Sequence, residues 1–193
     1  MKGNLIMKII LASTSPRRKE ILADNHIEFE VIPSAIKEKI IANLSPLENV
    51  KRLARLKCLD VYERYKDEVV LAADTIVCYN GTIFGKPKDE KDAFNMLNTL
   101  QGKTHEVITA VCVASRKGIS VEAMVSKVAF YHMIKEEIFD YIATKEPMDK
   151  AGSYAIQGLG KKYIKYYEGD FDNIVGLPMK IVNKLLEEHK KNE

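Results

Sequence analysis

Two arginines behind a hydroxyl-rich run, Ser13-Thr14-Ser15-Pro16-Arg17-Arg18, are the residues of this chain best suited to holding an anion. They follow a short apolar run, Ile9-Ile10-Leu11, and precede a helical pattern around Ile21 and Leu22. Ser15 can cap that helix. Pro16 fits its first turn, where the missing N–H would be an orphan anyway. A strand therefore runs into a loop and then into a helix N-terminus, where free N–H groups meet the positive end of the helix dipole. The guanidinium groups add fixed charge and donors shaped for phosphate oxygens. Phosphate binding is the chemistry expected; a capped helix with two solvated arginines is the alternative.

Three further residues stand where folding alone would not put them. Asp74 interrupts the apolar run Val69-Val70-Leu71-Ala72-Ala73-Asp74-Thr75-Ile76-Val77. A carboxylate buried in a strand is costly unless hydrogen-bonded, ion-paired or bound to a metal. Lys57 shares a helical face with Val50, Leu53, Ala54 and Val61, so its ammonium either snorkels to solvent or enters a cleft. Lys86, between Gly85 and Pro87, is either a surface turn lysine or one held toward a ligand. The segments 151–160 and 169–178 are rich in glycine, which suits tight turns or close backbone approach to a ligand. Neither is a P-loop, and no dinucleotide-binding glycine fingerprint occurs.

The elements needed to position these residues alternate between strand and helix patterns. Strands are expected at Lys8–Leu11, Phe29–Pro33, Val69–Tyr79, Thr82–Phe84, Val107–Ser115, Ile119–Met133 and Tyr163–Tyr167. Asn80-Gly81 marks one hairpin and Arg116-Lys117-Gly118 another. Helices are expected after Ser15, Ser45, Asp89, Ile134 and Pro178. Ser45-Pro46-Leu47-Glu48 has the form of a capping box with proline at the first helical position, and Gly102 ends the third helix. Long hairpins mixed with helices predict an α/β protein with a mixed sheet.

Composition limits the class. The chain of 193 residues carries a net charge of +3 and no basic-aromatic stripe, which does not favour a nucleic-acid partner. No apolar run reaches membrane-span length and the first residues lack a signal-peptide core, so no membrane association is expected. Cys58, Cys78 and Cys112 have no zinc-ligand or redox spacing and are expected as buried free thiols in a reducing cytoplasm. His26, His105, His132 and His189 form no metal-ligand spacing, and His105 is expected to be structural.

Seven blocks resemble the Maf family of nucleoside triphosphate pyrophosphatases, in that family's order and over nearly the whole chain. They are Ala12–Arg18, Arg52–Lys57, Ala73–Val77, Gly85–Pro87, Gly102–His105, Asp149–Gly158 and Val175–Pro178. The resemblance implies one such domain over 1–193; the sequence itself offers Met7 as a second start, with residues 1–6 then an N-terminal extension. The resemblance also implies a mixed sheet with flanking helices and two lobes around a central cleft, related to inosine-triphosphate pyrophosphatases. The implied reaction cleaves a nucleoside triphosphate, with modified pyrimidine triphosphates among the candidates, between its α and β phosphates, releasing a monophosphate and pyrophosphate. A divalent cation, Mg²⁺ or Mn²⁺, and a homodimer are also implied.

Asp74 matches the family's catalytic aspartate, and Asp74 with Glu38 matches its metal site. The family often has two adjacent acids there, whereas Lys37 precedes Glu38 here. Ser13, Arg17, Lys57 and Lys86 match positions suited to neutralising and orienting the triphosphate. Arg17, Thr75 and Gln157 resemble the subgroup acting on dTTP and UTP, not the 7-methyl-GTP subgroup, which typically has glutamate in place of the glutamine. Gln157 offers both a donor and an acceptor, as a pyrimidine O4/N3 edge requires. Pyrophosphatases of 7-methyl-GTP or other non-standard nucleotides, and a nucleotide-binding regulator of cell division with little turnover, are the alternatives.

Overall fold

The structure, a computed structural model, describes residues 9–190. Lys8, Met7 and the extension 1–6 lie outside the described residues. Seven strands form one mixed sheet: β1 (Ile9–Leu11), β2 (Phe29–Val31), β3 (Val69–Tyr79), β4 (Thr82–Phe84), β5 (Thr104–Ser115), β6 (Gly118–Phe130) and β7 (Ile164–Glu168). The order is β2-β1-β3-β5-β6-β7, with β4 paired to β3. β1 runs parallel to β2 and β3, and every later pairing is antiparallel. Asn80-Gly81 closes the β3–β4 hairpin, with Tyr79 opposite Thr82. Arg116-Lys117 joins the long β5–β6 ribbon, with Ser115 opposite Gly118.

Strand alternation divides the core in two. One set of β3 side chains, Val70, Ala72, Ile76 and Cys78, packs with Val50, Ala54, Cys58 and Val61 of helix α2 (Pro46–Tyr62). The other set, Val69, Leu71, Ala73 and Val77, belongs to the larger core on the opposite face. Helices α1 (Pro16–Asp24), α3 (Glu90–Leu100), α4 (Lys135–Ala143) and α6 (Met179–His189) contribute to that larger core. The capping box of α2 is complete: Ser45 Oγ accepts from Glu48 N at 3.2 Å, and Glu48 Oε2 accepts from Ser45 N at 2.8 Å. All three cysteines are buried free thiols.

Several boundaries differ from the sequence expectation. β5 begins at Thr104, because backbone pairing with Ala129, Val128 and Lys127 extends the strand past the apolar run. β6 ends at Phe130, where the register to β7 breaks; Tyr131 N instead bonds Tyr163 O at 2.8 Å. β2 ends at Val31. Tyr163 belongs to a 3₁₀ turn (Leu159–Tyr163), so β7 starts one residue later. A short helix, α5 (Phe171–Val175), capped by Asp170, fills part of a segment expected to be irregular.

Candidate active site

A cleft of about 630 Å³ opens where the loop before α1, the side of α2 and the middle of β3 converge. β3 supplies adjacent residues to it, and alternation sends them to opposite faces of the sheet. Asp74 points toward α2, is 4% exposed, and lies in line with Ala72 and Ile76. Lys57 of α2 meets it: Nζ stands 2.5 Å from Asp74 Oδ1 and 2.7 Å from Glu38 Oε1. The lysine in the apolar stripe thus ends in the cleft, bridging a buried carboxylate and a half-exposed one. Burial pushes the Asp74 carboxyl above its ordinary range, against the opposing pull of Lys57 and Arg18. Partial burial acts the same way on Glu38, but the hydrogen bond and charge of Lys57, with Lys86 and Arg18, outweigh it and hold Glu38 below the usual range.

Thr75 points the other way and meets Arg18. The Arg18 guanidinium donates to Gly176 O at 2.9 Å, Thr75 Oγ1 at 3.1 Å and Ser13 Oγ at 3.2 Å. All three acceptors are neutral. Among the described residues, no carboxylate lies within ion-pairing distance of this half-buried cation. A guanidinium held by neutral acceptors keeps its charge available for an anion, so the arrangement favours binding of a negative group beside it. Gly176 is called for by its backbone and by Thr75: its φ is +123°, and a Cβ there would stand 3.2 Å from Thr75 Oγ1. Thr75 Oγ1 also lies 2.9 Å from Thr109 Oγ1, which donates to Asn173 O at 2.8 Å.

Sequence reasoning noted Arg18 but did not single it out. Consecutive helical residues project about 100° apart, so the two arginines meet the cleft at different places. Arg17 also lines the cleft, in the field of Asp149. Ser13 lines it too, and its hydroxyl accepts from Ser15 N at 3.2 Å. Ser15 sits at the N-cap position of α1 but makes no side-chain cap. The expected cap is therefore corrected: the loop is held by the hydroxyl of Ser13, which also receives Arg18. Lys86 lines the cleft from an exposed turn, so five cations, Arg17, Arg18, Lys57, Lys86 and Lys88, share it with three carboxylates, Glu38, Asp74 and Asp149.

A family model described as "Maf-like protein" matches residues 8–189. The chain belongs to the Maf-like family. A dTTP/UTP pyrophosphatase of Aquifex aeolicus is 46% identical over 182 residues, covering 94% of this chain and 95% of that one. One from Caldicellulosiruptor bescii is 48% identical over 186 residues, covering 93% and 94%. The Ham1 protein of Staphylococcus aureus shares the fold, with a TM-score of 0.50 at 15% identity, over 95% of this chain and all of that one.

Of the expected site residues, this Maf-like chain brings Ser13, Arg17, Glu38, Lys57, Asp74, Thr75 and Lys86 to one cleft. Gln157 is not among its lining residues. It is exposed, immediately beyond Ile156, which does line the cleft. Among the described residues no cluster of three or more His, Cys, Asp and Glu side chains forms a metal centre. Asp74 and Glu38 nevertheless flank one cationic position, occupied by the Lys57 ammonium. Their oxygens are the donor type that Mg²⁺ and Mn²⁺ select, and those ions take their remaining ligands from water and phosphate. Among the described residues no helix is long and apolar enough to cross a membrane.

Proposed function

We propose that this chain is a pyrophosphatase of dTTP and UTP, releasing the nucleoside monophosphate and pyrophosphate. The observation that carries the reading is the pairing of Asp74 with Lys57 beside the half-buried Arg18, whose hydrogen-bond acceptors are all neutral. The full-length similarity to dTTP/UTP pyrophosphatases supports the same substrates.

In this mechanism Arg18, Arg17, Lys57 and Lys86 bind the triphosphate and oppose its charge. Thr75 and Ser13 hold the Arg18 guanidinium in one orientation, so little reorganisation is needed as charge shifts toward the leaving group. A water oxygen attacks the α phosphorus, its proton passes to Asp74, and the α–β bridging bond breaks to release pyrophosphate. An upward-shifted carboxyl is the better proton acceptor, which suits Asp74; Glu38, held anionic, suits a cation. Asp74 and Glu38 would hold a Mg²⁺ or Mn²⁺ ion, which when bound supplies charge neutralisation at the phosphates. Arg17, Thr75 and Gln157 select the base in this reading.

The proposal extends to a homodimer acting in the cytoplasm, where three buried thiols remain reduced. Light scattering checks the dimer. For the activity, pyrophosphate release is measured from a panel of nucleoside triphosphates with and without Mg²⁺ or Mn²⁺. Metal-dependent release fastest from dTTP and UTP is expected. Faster release from 7-methyl-GTP, or binding of nucleotides without turnover, contradicts it.

A further inference from the structure

One carboxylate outside the cleft, together with the phenol that donates to it, holds the backbone on both sides of Gln157. Glu146 opens a 3₁₀ turn (Glu146–Asp149) that follows α4. Its Oε1 accepts from Leu159 N at 2.9 Å, and its Oε2 accepts from Gly160 N at 3.0 Å. The Tyr141 hydroxyl, from α4, donates to Oε2 at 2.6 Å and accepts from Ala155 N at 3.1 Å. The loop is therefore tied down two residues before Gln157 and again two and three residues after it. Between these ties the fit is closed: a Cβ on Gly158 would stand 1.7 Å from Glu146 Oε1. Ile156, inside the tied stretch, lines the cleft, so a shift of this loop moves the cleft wall and Gln157 together.

We propose that Glu146 and Tyr141 are specificity-positioning residues, which fix the loop that presents Gln157 to the base. This rests on the reading that Gln157 selects the pyrimidine. An ionised carboxylate accepting two backbone N–H bonds and a phenol holds more firmly than neutral acceptors would. A side chain that discriminates by hydrogen bonding loses its selectivity when displaced by a fraction of an ångström, because donor and acceptor no longer meet the base edge.

The test compares kcat/KM for dTTP, UTP and 7-methyl-GTP in the full chain, with thermal melts alongside. The variants are Gln157→Glu, Glu146→Gln, Tyr141→Phe and the double variants with Gln157→Glu. Tyr141→Phe retains the packing of a buried ring and covers the case in which Glu146→Gln does not fold. The expected result is a roughly tenfold fall in pyrimidine preference in each loop variant. No further fall is expected when either is combined with Gln157→Glu, since the positioned group is already lost. If Gln157→Glu changes the preference while the loop variants leave it intact, or lower all substrates equally, the positioning role is overturned. If Gln157→Glu itself leaves the preference unchanged, the reading of Gln157 fails, and the inference fails with it.

Discussion

Lys57 and Lys86 both present an ammonium to the cleft, but their surroundings predict different consequences on removal. Lys57 is packed in the α2 face and touches a carboxylate that is almost wholly buried. Removing it leaves Asp74 without its closest cation, an error that typically costs about 3 kcal/mol and lowers Tm by about 10 °C in a chain of this size. Lys57→Ala should therefore lose both activity and stability. Lys86 stands on an exposed turn, and its loss should change stability by less than about 0.5 kcal/mol. Lys86→Ala should weaken kcat/KM for triphosphates with an unchanged melt. Steady-state kinetics beside calorimetry separate the two; equal stability losses, or normal kinetics in both, would contradict the placement. The two residues were visible in sequence for the same reason that makes them functional: a lysine in an apolar stripe and one between glycine and proline. Their difference was not visible, because it depends on α2 packing against β3, which brings together residues 17 positions apart. Glu146 gave no signal at all, since its role is to accept from backbone groups, and backbone donors are the same at every non-proline residue.

At the scale of elements, β5 carries a residue that couples stability to pH. His105 is 2% exposed; its Nε2 lies 2.8 Å from the Tyr154 hydroxyl, and its ring packs edge-on against Phe130. Nδ1 has no hydrogen-bond partner. Burial lowers the imidazole pKa to about 4. In the unfolded chain the group takes up a proton near pH 6.5, so between pH 6.5 and 4 the unfolded state binds more protons than the folded one. His105 leaves stability unaffected above pH 6.5 and removes it as pH falls, by about 2 kcal/mol at pH 5. Melting temperature should drop over this interval, and His105→Asn should flatten that part of the profile. An identical slope in the variant would contradict the assignment. The His105–Tyr154 contact also explains why the start of β5 was misjudged from sequence. Thr104, His105 and Glu106 lack strand-like apolar character, and the aromatic partner that buries His105 lies 49 residues further on. By contrast, β3 and β4 were legible to the residue, because an apolar run and an Asn-Gly turn are both local signals. The helix α5 was overlooked although Asp170 and Gly176 bracket it; five residues are too few for a hydrophobic period to show.

Across the whole molecule, the sheet separates two cores, and the cleft forms where both reach the same stretch of β3. That arrangement turns neighbouring residues to different partners: Asp74 to Lys57 on one face, Thr75 to Arg18 on the other. The fold class and most of the cleft were readable from the chain. The direction of Gln157 was not, because irregular backbone has no period from which to project a side chain. The account depends most on Asp74 as the group that takes the proton from water. The direct measurement is pyrophosphate release from dTTP under single-turnover conditions with saturating divalent metal, comparing the wild-type chain with Asp74→Asn. The amide retains the carboxylate's shape and its place against Lys57, but neither accepts the proton nor supplies the charge. A fall of at least about a hundredfold in a variant that melts normally is the predicted result. Release at a near wild-type rate by the folded variant would contradict it.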